Sequence, residues 1–224
     1  MNSPSSAIEI SPAQRDFIRA CSEAWVLKFD PENGFTLKSW RKSPWFFNAG
    51  ELMKDAQGLS MLARFYVNAL LTHFGEWNQI NADVLYGPAY KGIPIASVTA
   101  AEYHNQTGNN IGFAFHRKEE KDHGEKWTAF WMSVEGRSAI LLDDVMTAGT
   151  ALTESQKAII KDNGKLSGAI VLLDRQEVKT EWDGITALNR IRTEAGIKIV
   201  SALDYQTVRQ AVKEWLIGNP EIWA

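Results

Sequence analysis

Ala139-Ile140-Leu141-Leu142 runs directly into Asp143-Asp144, and the chain continues through Val145-Met146-Thr147-Ala148-Gly149-Thr150-Ala151. Two adjacent carboxylates at the end of a buried apolar strand need partners, because an unpaired buried charge is costly. They can accept hydrogen bonds from a diol. The loop that follows offers hydroxyls at Thr147 and Thr150 and a close backbone approach at Gly149. It then opens a helix, whose free N–H groups suit a phosphate. Diol and phosphate together ask for a sugar phosphate. A strand followed by an N-capping Asp and a tight turn is the plainer reading, and it leaves the second carboxylate unexplained.

Tyr86-Gly87-Pro88-Ala89-Tyr90-Lys91-Gly92-Ile93-Pro94 also follows an apolar strand and precedes a helix. Gly87 and Gly92 are expected to permit unusual backbone angles, and Lys91 offers a cation to an anionic ligand. Alone, a Gly/Pro turn with one lysine is usually only a turn. The stretch His116-Arg117-Lys118-Glu119-Glu120-Lys121-Asp122-His123-Gly124-Glu125-Lys126 is of mixed sign and would ordinarily be a solvated loop. It follows the strand Ile111–Phe115, so it can emerge at the same sheet edge as the acidic pair. A cationic lid there would stabilise charge on a departing anion. His123 could hydrogen-bond to that anion or transfer a proton.

These segments need a scaffold that brings strand ends together. From residue 83 onward short apolar runs alternate with helical stretches: Val84–Tyr86, Ile111–Phe115, Ala139–Leu142, Ala169–Leu173 and Ile197–Ala202, with helices expected near 93–104, 150–162, 184–195 and 205–217. That alternation predicts an α/β fold with a mostly parallel sheet covered on both faces. In such sheets ligands bind beyond the carboxyl ends of the strands. Upstream, Ser11-Pro12-Ala13-Gln14 is a helix start, with Phe17, Cys21, Ala24 and Trp25 at helical spacing after it. Short strands are expected at Phe35–Leu37 and Trp45–Phe47, flanking a polar turn, Lys38 to Pro44. A second amphipathic helix carries Leu59, Leu62, Ala63, Tyr66, Ala69 and Leu70. The chain reads as one domain over 1–224, with a hood over roughly 1–80 built onto a core over roughly 81–224.

Composition sets the bounds. The chain has 224 residues, a formal net charge of -3, one cysteine (Cys21) and nine tryptophans. The charge argues against a nucleic-acid partner, and a lone cysteine excludes an internal disulfide. No window approaches a membrane span of about 20 apolar residues. The N-terminus does not read as a signal peptide, so a cytoplasmic location is expected.

Taken together, the segments resemble the type I phosphoribosyltransferases, and within them the bacterial orotate enzymes. Ala139 to Ala151 is similar to the motif that binds phosphoribosyl pyrophosphate (PRPP). Val26-Leu27-Lys28-Phe29, Phe35 to Ser39, Arg41 to Pro44 and Phe46 to Gly50 resemble the N-terminal hood. Arg64-Phe65-Tyr66, Gly87 to Pro94, Arg117 to Glu125 and Leu173-Asp174-Arg175-Gln176-Glu177 continue the resemblance in order, from about Phe17 to Val212. Trp40 stands where Gly is usual, Trp45 where Tyr is usual, and Lys126-Trp127 where small glycines are common.

The resemblance implies a type I phosphoribosyltransferase fold and transfer of the phosphoribosyl group to orotate in UMP biosynthesis. It implies that Lys28 and Lys91 contact PRPP phosphates, with Tyr90 beside the ligands. Phe46, Phe47 and Arg175, with Thr147, would form the orotate site. Arg117, Lys118, Lys121 and His123 would form a catalytic loop reaching the partner subunit's site in a homodimer. Asp143, Asp144, Val145, Met146, Thr147, Ala148, Gly149, Thr150 and Ala151 would hold ribose and 5-phosphate. Mg²⁺ would arrive on the pyrophosphate without a direct protein ligand. With the chain ending at Ala224, no fused decarboxylase domain is expected. No Ser or Cys has an obvious base, so direct displacement is expected in preference to a covalent intermediate. The residues alone leave two alternatives open: a phosphoribosyltransferase for purines or other bases, and a PRPP-sensing regulator without catalysis.

Overall fold

The computed structural model describes residues 9–36, 42–77, 79–116, 132–145, 150–176, 186–214 and 217. In chain order the elements are α1 (Pro12–Glu23), β1 (Leu27–Phe29), β2 (Phe35–Thr36), β3 (Lys42–Ser43), β4 (Trp45–Phe47), a 3-10 turn (Ala49–Met53) and α2 (Ala56–Phe74). There follow β5 (Gly75–Glu76), β6 (Gln79–Ile80), β7 (Val84–Tyr86), α3 (Gly92–Thr107), β8 (Gly112–Ala114), β9 (Ser138–Val145), α4 (Thr150–Lys161), β10 (Lys165–Asp174), α5 (Ala187–Ala195), β11 (Lys198–Asp204) and α6 (Tyr205–Lys213).

Five of the strands form one sheet in the order β11-β10-β9-β7-β8. The pairings β10–β9, β9–β7 and β7–β8 are parallel, as the α/β alternation requires. Successive side chains along a strand point to opposite faces. Val84 and Tyr86 of β7, Ala139 and Leu141 of β9, and Ala169 and Val171 of β10 pack with Leu152 and Ile159 of α4 and Leu188 and Ile191 of α5. The alternate positions Leu85, Ile140, Leu142, Ile170 and Leu172 are buried too, and α3 packs on β7, β8 and β9. Burial on both faces explains why these strands read as continuous apolar runs without polar alternation. At the amino edge, the Asp83 carboxylate accepts hydrogen bonds from the Ser138 N–H and hydroxyl at 2.8 and 2.9 Å, fixing the β7–β9 register.

Two compact units emerge: Leu59–Ala202, which holds most of the sheet, and Met1–Gly58 together with Leu203–Ala224. The sequence reads as one domain over 1–224, with a hood over roughly 1–80 on a core over roughly 81–224. The division at Gly58 leaves in the sheet unit the part of α2 that buries Leu62, Ala63, Phe65, Tyr66, Val67, Ala69 and Leu70.

In the other unit, α1 begins with a full capping box: Ser11 accepts from the Gln14 N–H, and the Gln14 side chain accepts from the Ser11 N–H. Phe17, Ile18 and Cys21 are buried. Ala24 and Trp25 do not continue that face as expected: the helix stops at Glu23, Trp25 turns out at φ 58°, and both are exposed. The strands at Phe35 and Trp45 exist but do not pair with each other. β1 pairs with β4, and β2 pairs with β3, which lies inside the expected polar turn.

Candidate functional site

The register decides which side chains reach the carboxyl edge. Tyr86 at the end of β7 lies opposite Leu141 of β9, and Tyr86 also lies opposite Ala114 at the end of β8. β9 therefore runs on past β7, carrying Asp143 and Asp144 beyond it. On the other side Asp143 pairs with Val171 and Val145 with Leu173, so Arg175 leaves β10 at the same edge. Buried Asp174 accepts the Gln176 N–H at 2.8 Å and shapes that exit.

Face alternation puts Asp144 on the side of Ile140 and Leu142, the side covered by α3. Lys91 stands at the N-cap of α3, and its Nζ donates to Asp144 Oδ2 at 2.7 Å. The two segments picked out separately in the sequence thus converge. The glycines that allow this act differently from the expectation. Neither Gly87 nor Gly92 has a positive φ. What matters is close approach: a Cβ on Gly87 would lie 2.2 Å from the Gly92 carbonyl oxygen, and one on Gly92 would lie 2.4 Å from Pro88 Cδ and 2.9 Å from the Leu142 carbonyl oxygen. The loop folds tightly on itself and onto β9. The Ala89–Tyr90 peptide is cis, and Tyr90 is 73% exposed.

Within the doublet, Asp143 Oδ1 accepts the Asp144 N–H at 2.9 Å, and Asp144 Oδ1 accepts the Val145 N–H at 2.8 Å. The two carboxylates are in unlike environments. Burial, and then the charge of Asp144, push the Asp143 carboxyl up to about 7. Asp144 is held against a cation. From α2, fully buried Tyr66 donates its hydroxyl to the Asp143 carbonyl oxygen at 2.7 Å. Burial, together with the charges of Asp144 and Asp143, raises the phenol well above its ordinary value, so it stays protonated and remains a donor. From the sequence Tyr66 stood on an amphipathic helix and in a segment that carries the family resemblance, with no role at the site assigned to it. Its polar tip on an otherwise apolar face was the available signal.

Tyr86 and His116, at the ends of the neighbouring parallel strands, each head a segment picked out in the sequence, where neither had a role of its own. Their rings stack with centroids 5.9 Å apart and planes 9° apart, and the Tyr86 hydroxyl is hydrogen-bonded to His116 Nδ1.

In the Met1–Gly58 unit, Lys28 lies directly across from Phe46, and both are half-buried. Phe35 packs on Phe46 at 5.6 Å between ring centroids. Phe47 belongs to the opposite face, paired with Leu27 and 6% exposed. Arg117, Lys118, Lys121, His123, Met146, Thr147, Ala148 and Gly149 lie outside the described residues, as do Trp40 and Trp127. Thr150 begins α4 and Ala151 is exposed on it.

A parallel sheet whose carboxyl edge joins an acidic doublet to a lysine-bearing Gly/Pro loop defines a phosphoribosyltransferase of type I architecture. A family model for the phosphoribosyl transferase domain matches residues 68–194. The orotate phosphoribosyltransferase of Photorhabdus laumondii is 41% identical over 210 residues, covering 93% of this chain and 91% of its own length. That of Erwinia tasmaniensis is 42% identical over 209 residues, with coverage of 93% and 91%. The crystal structure of the orotate phosphoribosyltransferase of Francisella tularensis matches with a TM-score of 0.75 at 33% identity, over 89% of this chain and 90% of that one. The chain belongs to the orotate phosphoribosyltransferase family.

Proposed function

We propose that the chain transfers the 5-phosphoribosyl group of PRPP to N1 of orotate, giving orotidine 5'-monophosphate and pyrophosphate in the synthesis of UMP. The observation that carries this reading is the meeting of Lys91 and Asp144 at 2.7 Å on the carboxyl edge of the sheet. There a cation for pyrophosphate and a carboxylate for ribose stand side by side.

The reaction breaks the bond from the anomeric carbon to pyrophosphate, which leaves with the electron pair, and forms a bond from that carbon to orotate N1, whose proton is released to solvent. Positive charge builds on the ribose ring and negative charge on the leaving group. Asp144 and Asp143 accept hydrogen bonds from the ribose hydroxyls and lie near the cationic ring. Lys91 receives the pyrophosphate, with Tyr90 and Lys28 beside the ligands. Arg117, Lys118, Lys121 and His123 close over the leaving group and exclude water that would hydrolyse PRPP. Val145 to Ala151 cradle the 5-phosphate at the start of α4. Arg175 pairs with the orotate carboxylate, and Phe46, Phe47 and Thr147 bound the planar ring.

Mg²⁺ would come to the site on the pyrophosphate oxygens of the substrate, with no direct ligand from the chain. When bound, it would neutralise charge on the pyrophosphate oxygens. The working form is a homodimer in the cytoplasm, with the loop of one subunit serving its neighbour's site. Among the described residues no helix is long and apolar enough to cross a membrane.

The base is the discriminating variable. Steady-state assays with orotate, hypoxanthine, guanine and adenine should show turnover with orotate alone. Comparable turnover with any purine would overturn the assignment.

A further inference from the structure

Lys91 can meet a ligand only if both roots of its loop are held. The far root is wedged where Gly92 lies against Pro88 and the Leu142 carbonyl. The near root is Tyr86, after which the Gly87 N–H donates to the Ala114 carbonyl at 2.9 Å, tying the exit of β7 to the exit of β8. Beside that backbone bond stands a second tie. His116, two residues past Ala114, stacks on the Tyr86 ring and hydrogen-bonds to its hydroxyl through Nδ1. Tyr86 is itself fully buried among Leu141, Leu152 and their neighbours, so its ring has no freedom to follow a wandering partner. In sequence His116 is also the residue immediately before Arg117.

We propose that Tyr86 and His116 are positioning residues, a couple that locks the ends of β7 and β8 together and so sets how the Lys91 loop holds the pyrophosphate end of PRPP. The inference deepens the functional reading above and rests on it. Burial pushes the Tyr86 phenol up to about 12, outweighing hydrogen bonds from the Ser155 side chain and the His116 backbone, so the hydroxyl keeps its proton at neutral pH and is able to donate it to Nδ1. An imidazole that accepts at Nδ1 carries its own proton on Nε2. With Tyr86 as the donor, the couple fixes both the orientation and the tautomer of His116. Neither side chain needs to touch substrate. Their effect passes through the backbone of residues 87–91, as supporting groups hold a binding group in place.

The test measures affinity for two probes by calorimetry on the full chain: PRPP, and ribose 5-phosphate, which lacks the pyrophosphate. Loss of one such hydrogen bond in Tyr86→Phe or His116→Ala should weaken PRPP binding about fivefold and leave ribose 5-phosphate nearly unchanged. Combining both substitutions should cost little more than either alone, because the two residues act as one unit. His116→Asn should retain wild-type PRPP affinity, since its amide oxygen stands where Nδ1 stood and can accept the same bond. Equal weakening of both probes would mean a general structural role and overturn the proposal, as would an unchanged PRPP affinity in Tyr86→Phe. The couple can also be read without ligand. Imidazole nitrogen shifts should report an unprotonated Nδ1 on His116 that changes in Tyr86→Phe, and a protonated Nδ1 would refute it. A wild-type chain that binds ribose 5-phosphate but not PRPP would sink the functional reading, whatever the imidazole shifts report.

Discussion

Lys91 Nζ lies 2.7 Å from Asp144 Oδ2, and the pair is only partly shielded, with the lysine side chain 46% exposed. An ion pair of that exposure contributes at most about 1 kcal/mol to stability. Its importance is therefore to the ligand, since PRPP would draw Lys91 toward pyrophosphate and Asp144 toward the ribose hydroxyls. Asp144→Asn should fold with an unchanged circular dichroism spectrum and lose activity by about 10² to 10³ in kcat, the usual effect of removing one preorganised transition-state contact. Loss of fold in parallel with activity would contradict this separation.

Asp143 makes stability depend on pH. Its folded value of about 7 lies above the ordinary 3.8. Between those limits the folded chain holds a proton that the unfolded chain has released. Stability from this group is thus full below the unfolded value and is lost as pH rises through about 7. Asn mimics the neutral carboxyl and can still accept the Asp144 N–H. Asp143→Asn should therefore melt higher than wild type near pH 8, by a margin that shrinks as pH falls and closes near pH 3.8. Thermal melts at the two pH values decide it, and a variant less stable than wild type near pH 8 would show that charge burial is not the governing cost.

Gly87 and Gly108 separate two uses of glycine. Gly108 caps α3 at φ 72° with open space around it, whereas a Cβ on Gly87 meets the Gly92 backbone at 2.2 Å. Gly108→Ala should cost about 1 to 2 kcal/mol of stability and leave PRPP affinity alone. Gly87→Ala should displace the Lys91 loop and weaken PRPP binding by at least about tenfold, equivalent to about 1.4 kcal/mol. Denaturant melts and calorimetry on both variants test the contrast, and unchanged PRPP binding in Gly87→Ala would remove the loop from the site.

A reciprocal two-fold dimer predicts complementation between inactive variants. If the loop of one subunit serves the other's site, Lys121→Ala mixed with Asp144→Asn places both lesions in one site of the mixed dimer and none in the other. After random exchange about a quarter of all sites should be intact. Zero recovery with exchange confirmed by mass spectrometry would show that each loop serves its own chain.

The sheet was legible because its strands are buried on both faces: Val84–Tyr86, Ala139–Leu142 and Ala169–Leu173 read as apolar runs bounded by turns, and the structure keeps the first at those bounds and lengthens the other two to Ser138–Val145 and Lys165–Asp174. Asp143 and Asp144 stood out because charge at the end of such a run is rare. Relations across the sheet were not legible. Tyr66 and Asp143 are 77 residues apart in sequence, and the hydrogen bond between them depends on where α2 packs. The order β9-β7-β8, which sets Tyr86 beside His116, is likewise a matter of topology. Gly87 and Gly92 were noticed as flexible, yet their use is close approach, which no single sequence displays. The β5–β6 hairpin gave no signal: each strand has two residues, and Trp77 at its turn is fully exposed.

The central claim is that this edge of the sheet joins PRPP to orotate, and orotate's ultraviolet absorbance reads that chemistry directly. With PRPP and Mg²⁺ present, wild-type protein should consume the orotate absorbance steadily, while Asp144→Asn should slow the loss by about 10² to 10³. No loss of orotate absorbance with wild-type protein, or equal loss with both proteins, would contradict the account.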